Sequence, residues 1–97
     1  MKIVTQNAVA YFRNGGNTKF NNTEVVTENG VSKMYLFGKL IATLEHNVGG
    51  VMKITNAGWQ SNTTKERLNG LPNVSIKQKK GDWYLNGELW DGQLKQV

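Results

Sequence analysis

The chain has 97 residues, of which 38% are hydrophobic and 20% charged; this length holds one domain and excludes a two-domain enzyme with a cleft between lobes. Three Trp, three Tyr and three Phe supply a modest core and argue against a disordered chain. The formal charge of +5 favours phosphate backbones or acidic surfaces as partners, although many small domains carry such a charge for solubility alone.

The absence of cysteine excludes several kinds of site. Without it the chain has no disulfide, no thiolate nucleophile and no Cys-ligated zinc, and we predict neither a metal nor a cofactor. Residues 1–7 lack the unbroken apolar run of a secretory signal, and no stretch approaches the ~20 apolar residues of a membrane span. We therefore expect a cytoplasmic protein with no membrane partner.

The first 22 residues have the least definite pattern. It is compatible with strands at residues 3–5 and 9–12, followed by a flexible loop at residues 13–18. Gly15–Gly16 in this loop does not form a phosphate-binding loop, because no Gly-Lys-Ser/Thr follows it.

The middle of the chain predicts a β-meander. Asn29–Gly30 separates two strand-forming runs, and Asn-Gly is the pair that best tolerates the positive φ angles of a type I′ hairpin turn. Gly38 lies within a further strand-forming run over residues 34–44, where it marks either a tight turn or a bulge, and we favour the turn. Residues 51–55 follow a loop and form another predicted strand.

One short helix is predicted at about residues 63–70. Thr63 and Glu66 have the spacing of a capping box, and Gly70 and Pro72 mark the end of the helix. Since a helix of two turns is marginal in isolation, we expect it to be stable only by docking on the sheet.

The last third of the chain predicts a three-strand hairpin unit with turns at Lys80–Gly81 and Asn86–Gly87. Alternation across both turns gives this unit a core face of Val74, Ile76, Trp83, Leu85 and Trp90. The opposite face carries Ser75, Lys77, Lys79, Tyr84 and Leu89. The predicted fold is therefore a single α+β domain over residues 1–97, mainly an antiparallel β-meander with the short helix and this hairpin unit.

Residues 54–69, with the sequence ITNAGWQSNTTKERLN, are followed by Gln78 and by the run WYLNG at residues 83–87. This pattern resembles a family of small proteins encoded by tailed bacteriophages, over roughly residues 40–92. That family has no assigned activity. The resemblance implies a small accessory protein in the infected bacterial cell, with nucleic acid or host machinery as partner, and it does not extend to the first forty residues.

Positive charge concentrates between residues 65 and 80. Against one acid, Glu66, this segment holds five cations: Lys65, Arg67, Lys77, Lys79 and Lys80. With Tyr84 they predict a site for DNA or RNA, in which cations neutralise phosphates and the ring stacks on a base at ~1–3 kcal/mol. The alternative is a solvated strand face whose lysines discourage edge pairing.

Trp59 immediately precedes the predicted helix, between Gly58 and Gln60. It is either an exposed stacking platform for a base or, as we favour, a side chain that packs the helix onto the sheet.

No catalytic residue is predicted. His46 is the single histidine, and no nucleophile motif surrounds any serine. Asp82, Glu88 and Asp91 lie close together in sequence, but acidic residues beside turn glycines are ordinary turn chemistry. We therefore expect a non-enzymatic protein without a metal site.

The alternative function is that of a protein-binding inhibitor or modulator of a host protein. Hairpin edges can add a strand to a partner, and the alternating tail at residues 93–97 is a candidate for pairing or swapping. Such an interface would survive salt and depend on Tyr84 or Leu89, whereas nucleic-acid binding would weaken with salt and depend on Lys77 and Lys79. A homodimer is compatible with both functions.

Overall fold

The computed structural model describes residues 2–97. Within them the chain forms two α-helices and nine strands, with a 3-10 turn at His46–Val48. In chain order the elements are α1 (Ile3–Asn14), β1 (Thr18–Phe20), β2 (Thr23–Glu28), β3 (Val31–Leu36), β4 (Lys39–Glu45), β5 (Val51–Ile54), α2 (Asn62–Leu68), β6 (Ile76–Lys79), β7 (Asp82–Leu85), β8 (Glu88–Leu89) and β9 (Lys95–Gln96). Neither helix of this described part is long and apolar enough to cross a bilayer.

The strands form two antiparallel sheets. The larger has the order β1-β2-β3-β4-β5-β9, and the smaller has the order β6-β7-β8. Because neighbours in space are mostly neighbours in sequence, the predicted meander and the predicted C-terminal hairpin unit are both confirmed, and the α+β class with them.

The N-terminal segment is a helix, so the prediction of strands at residues 3–5 and 9–12, and of a single helix, is wrong. The buried face of α1 consists of Thr5, Ala8, Val9 and Phe12. This face has helical spacing and packs on β2 and β3, and its burial outweighs the modest helix propensity of β-branched residues. Gly15, with a φ of 77° and an N–H bond to the Tyr11 carbonyl, caps the helix where a flexible loop was predicted.

Both predicted turns of the meander are confirmed. Asn29–Gly30 joins β2 to β3, and Phe37–Gly38 joins β3 to β4, with positive φ at all four residues. A bulge also occurs, but it lies between Met34 and Tyr35, opposite Ile41. Ile41 is the extra residue of β4 and is buried.

The start of α2 differs from the predicted capping box. Its N-cap is Ser61, whose Oγ accepts the N–H of Thr64 at 3.1 Å. Thr63 is therefore inside the helix rather than at its cap, and the carboxylate of Glu66 is free to pair elsewhere.

The end of α2 is fixed to the smaller sheet. The side-chain amide of Asn69 accepts the N–H of Ile76 at 2.6 Å and donates to the carbonyl of the same residue at 3.1 Å. The helix thus docks on the first residue of β6, as a helix of seven residues requires.

One cluster of buried side chains joins the helices and both sheets. From the smaller sheet and the loop before it come Val74, Ile76, Trp83 and Leu85, and Trp90 follows β8. The predicted core face of the hairpin unit is therefore confirmed. From the rest of the chain come Ala8, Val9, Phe12, Val25, Met34, Leu36, Ile41, Ala42, Met52, Ile54, Leu68 and Leu71.

The tail at residues 93–97 pairs within the chain. β9 pairs with β5, and the N–H of Val97 donates to the carbonyl of Met52 at 2.9 Å. Just before it, Gly92 accepts the N–H of Asn56 at 3.0 Å, and a Cβ on Gly92 would lie only 2.0 Å from the Asn56 side chain. Only glycine allows this approach of the tail to the end of β5.

Candidate nucleic-acid interface

The outer face of the smaller sheet carries the predicted basic strand. We name this surface, formed by Lys77, Lys79, Asp82, Tyr84 and Leu89, the hairpin face. Lys77 pairs with Tyr84, and Tyr84 pairs with Leu89, so the three side chains form one row across the sheet. Lys77 is exposed, Tyr84 is half-buried and Leu89 is 68% exposed. The register predicted from alternation is thus confirmed.

The hairpin face lies over a packed layer. Trp83 and Trp90 are both buried beneath it, with ring centroids 6.3 Å apart. The indole N–H of Trp90 donates to the carbonyl of Gln93 at 2.9 Å, so its polar atom is satisfied in the core. Strands on such a layer hold the outer side chains at fixed spacings.

A carboxylate reduces the positive charge of the hairpin face. Asp82 lies directly opposite Lys79 in the pairing of β6 with β7, and both side chains are exposed. Lys80 follows in the turn, where its φ is 53°. This end of the sheet therefore presents three ammonium groups, from Lys77, Lys79 and Lys80, beside one acid.

Arg67 does not belong to this surface. It is 5% exposed, and its guanidinium joins α2 to α1 and β2. Nε donates to Thr23 Oγ1 and Nη1 donates to Thr5 Oγ1, each at 2.9 Å. Nη1 also pairs with the carboxylate of Glu66, which accepts the hydroxyl of Thr5. The predicted role of Arg67 as a phosphate ligand is inconsistent with this burial. We name Arg67, Thr5, Thr23 and Glu66 the Arg67 cluster.

Lys65 is also separate from the hairpin face. Its Nζ donates to Gln78 Oε1 at 3.0 Å. Because Gln78 lies between Lys77 and Lys79 along β6, its side chain points to the opposite side of the sheet. The predicted set of five cations is therefore divided, and the structure brings together Lys77, Lys79 and Lys80.

A second exposed cluster lies at the turn between β3 and β4. Phe37 and Trp59 are 53% and 43% exposed, and their ring centroids are 5.4 Å apart with an interplanar angle of 45°. Lys39 Nζ lies 5.4 Å from the centre of the Trp59 ring, within the range of a cation–π contact. We name Phe37 and Trp59 the aromatic pair. Trp59 is exposed, so the favoured prediction that it packs the helix onto the sheet is wrong.

No sequence motif singles out Phe37 or Lys39. Phe37 occurs in a strand-forming run, where an aromatic residue is typical of a core. The available signal is the turn predicted at Gly38, because a two-residue turn places the residue before Gly38 at the tip of the hairpin and away from the core.

A serine and the single histidine are hydrogen-bonded, but the histidine donates to the serine, whereas a nucleophilic serine must donate to the histidine. Ser32 Oγ lies 2.7 Å from His46 Nε2 and 2.8 Å from Thr27 Oγ1. The hydroxyl of Thr27 donates to the carbonyl of Gly16 at 2.7 Å. Ser32 must therefore donate to Thr27 and accept from His46, so the imidazole is a donor and not a base. Ser32 is also fully buried.

The outer face of the larger sheet forms a groove of about 700 Å³. Its lining mixes both charges, with Glu24, Glu28 and Glu45 beside Lys33 and Tyr35. Among residues 2–97, no three carboxylate or imidazole groups converge to hold a metal ion. The three carboxylates outnumber the one ammonium group of the lining, so the groove is a poor site for a phosphate.

Comparison with known proteins places the chain in a family. A family model described as Kyanoviridae Gp96 protein matches residues 1–96. The chain belongs to this family of bacteriophage proteins. The Gp96 match extends the resemblance from residues 40–92 to nearly the whole sequence, including α1 and β1. No curated protein and no solved structure matches the chain. Membership of the Gp96 family establishes a phage origin and by itself assigns no chemistry.

Proposed function

We propose that this phage protein binds nucleic acid through the hairpin face, without catalysing a reaction, in the cytoplasm of the infected bacterial cell. The observation that carries the proposal is the pairing of exposed Lys77 with half-buried Tyr84 on this face, with Lys79 and Lys80 beside them. Ammonium groups neutralise phosphates, and the half-buried ring of Tyr84 next to Lys77 can stack on a base or contact a sugar.

The arrangement of charge sets the kind of binding to expect. Three ammonium groups that each contact a phosphate give a slope of about −2 to −3 when log K is plotted against log salt concentration. Lysine contacts to phosphates carry no sequence information. We therefore expect moderate, salt-sensitive and sequence-independent binding, weakened by the carboxylate of Asp82.

The absence of catalysis is part of the proposal. Ser32 is buried and donates its proton to Thr27, and His46 donates to Ser32. This chain of hydrogen bonds joins the loop after α1 to the loop after β4, which is a structural role.

The test is a double substitution with a matched control. Lys77→Gln with Lys79→Gln removes two charges from the hairpin face, and Lys2→Gln with Lys19→Gln removes two exposed charges outside it. Binding to labelled single-stranded and duplex DNA and RNA is measured by anisotropy across a salt series. The first variant should lose about tenfold or more in affinity and about 2 units of salt slope, and the control should lose little.

Two results would contradict the proposal. Equal losses of affinity in both double variants would mean that binding depends on the net charge of the protein and not on the hairpin face. The absence of binding by the unsubstituted protein at low salt would remove the function altogether.

One observation favours a second candidate, a protein-binding modulator of a host protein. Leu89 is 68% exposed and completes the row of Lys77 and Tyr84, and an exposed leucine contributes more to a protein contact than to a phosphate contact. Leu89→Ser should leave nucleic-acid affinity within about twofold if the first proposal is correct. Salt-resistant binding to a bacterial protein that is lost in Leu89→Ser would support the second candidate instead.

A further inference from the structure

The aromatic pair is presented by two turns of the same geometry. Phe37 and Gly38 have φ values of 51° and 76°, and Ala57 and Gly58, just before Trp59, have values of 58° and 79°. Positive φ at both central residues is the property of a type I′ turn. The N–H of Trp59 closes its turn by donating to the carbonyl of Asn56 at 2.9 Å.

Phe37 is an unfavourable residue for its position. A bulky L-residue in the left-handed region is strained, and two other hairpins of the chain use Asn29 and Asn86 at the same place, while the β6–β7 hairpin has Lys80 there. The ring of Phe37 is 53% exposed, so burial does not offset the strain. A strained backbone that holds an apolar ring in solvent is a feature found at binding sites.

Backbone hydrogen bonds fix the two turns that carry the aromatic pair. The N–H of Phe37 donates to the carbonyl of Asn22 at 2.8 Å, which ties the tip of the β3–β4 hairpin to the turn before β2. The carbonyl that closes the Trp59 turn belongs to Asn56, which is buried. Both rings therefore sit on anchored backbone, and little ordering is required when a ligand binds.

The chemistry of the cluster selects one class of ligand. Two tilted and exposed rings offer π-surface for a planar group, and Lys39 adds an ammonium for an anionic one. A cationic ligand is disfavoured because the ammonium group of Lys39, 5.4 Å from the centre of the Trp59 ring, would repel it. A nucleotide of a single strand combines a planar base with a phosphate, whereas the bases of a duplex are stacked on each other and closed to such rings.

We infer that Phe37, Trp59 and Lys39 form a stacking site for an unpaired base, which makes the protein bind single-stranded nucleic acid in preference to duplex. This inference rests on the proposed nucleic-acid binding and adds a second contact to the hairpin face. The lysines of the hairpin face supply charge that does not distinguish single strands from duplex, and the aromatic pair supplies the preference for single strands.

The experiment titrates the protein with labelled oligo(dT) of about 12 nucleotides and with a labelled duplex of equal length. Anisotropy of the label measures the affinity of every variant, and tryptophan fluorescence measures stacking wherever Trp59 is present. Trp83 and Trp90 are buried, so a change caused by stacking reports on Trp59. Phe37→Asn removes the ring and keeps a residue that accepts positive φ. Phe20→Thr is the matched control, because Phe20 is equally exposed and lies on β1. Trp59→Leu is a second variant that keeps apolar bulk.

We expect quenching by oligo(dT) and affinity for it about tenfold above that for the duplex. Phe37→Asn and Trp59→Leu should each weaken oligo(dT) binding about tenfold and leave duplex binding unchanged, and Phe20→Thr should have no effect. Equal affinity for both forms without quenching would overturn the inference while leaving the proposed function intact. No binding to either form would overturn both. Loss of a protein partner, and not of oligo(dT), in Phe37→Asn would also overturn it.

Discussion

The Arg67 cluster and the aromatic pair each contain a residue in an unfavourable position, a buried cation in one and a strained, exposed Phe in the other. The cost is compensated by neighbouring groups in the first and not fully compensated in the second. Around Arg67 a charge that is costly to bury is matched by two hydroxyls and a carboxylate, and in the described part of the chain no buried side-chain nitrogen or oxygen lacks a partner. At the aromatic pair, Phe37 combines a left-handed backbone with an exposed ring, and its contact with Trp59 offsets only part of the strain.

This difference separates residues that maintain the fold from residues that are available for binding. Where a residue stabilises the fold, its buried polar groups have partners and its backbone conformation is favourable. A residue that breaks these rules often lies at a functional site. Arg67 has the charge expected of a phosphate ligand and serves the fold, whereas Phe37 has the character of a core residue and lies on the surface. Substitutions in the two regions should therefore change the free energy of unfolding with opposite signs.

The largest effect is expected at Arg67. Arg67→Met removes the guanidinium and leaves the hydroxyls of Thr5 and Thr23 and the carboxylate of Glu66 without their cation. We expect the free energy of unfolding to fall by about 3 kcal/mol in urea denaturation. Lys65→Met on the same helix is the control and should change it by less than about 1 kcal/mol. Equal changes in the two variants would mean that the hydrogen bonds and ion pair of the Arg67 cluster add nothing to the free energy of unfolding beyond packing.

A smaller loss is expected at Ser32. Ser32→Ala leaves His46 Nε2 and Thr27 Oγ1 without their shared partner, at a cost of about 1–2 kcal/mol. Thermal unfolding measures the loss, and Ser75→Ala at an exposed position is the comparison. A midpoint that does not move would show that water replaces the serine.

A gain is expected at Phe37. Phe37→Asn relieves the left-handed strain and loses the contact with Trp59, for a net increase of about 0.5–1 kcal/mol in the free energy of unfolding. Denaturant titration measures it beside the unsubstituted protein. A decrease of more than about 1 kcal/mol would show that the ring is part of the core and would remove the contrast between the two regions.

The smallest effect is expected on the hairpin face. Lys77→Gln with Lys79→Gln should change the free energy of unfolding by no more than about 0.5 kcal/mol, because both side chains are exposed. The same denaturant titration would detect a larger change. A marked loss would mean that the lysines stabilise the sheet, and any loss of binding would then need another explanation.

Local sequence signals predicted the hairpins. Asn29–Gly30 and Asn86–Gly87 specify type I′ turns within the turn itself, and alternation then carries the register from Trp83 to Trp90. The row of Lys77, Tyr84 and Leu89 follows from that register. These features were predictable because each depends on residues a few positions apart.

The features that were not predicted depend on contacts across the chain. Arg67 is buried between α2, α1 and β2, and the partners that it meets there, Thr5 and Thr23, lie 62 and 44 residues away in the sequence. The spacing of Thr5, Val9 and Phe12 was a helical signal, but their β-branched and aromatic types favour strands. Trp59 and Phe37 meet only when the turn at residues 56–59 reaches the β3–β4 hairpin.

The amide of Asn69 has a consequence for how copies of the chain could associate. By bonding both the N–H and the carbonyl of Ile76, it occupies two of the backbone groups that an added strand would use at this edge of the smaller sheet. A chain that extends the sheet at β6 must first break these two bonds and displace the end of α2. Growth of this sheet into a fibril at β6 is therefore opposed by a single side chain.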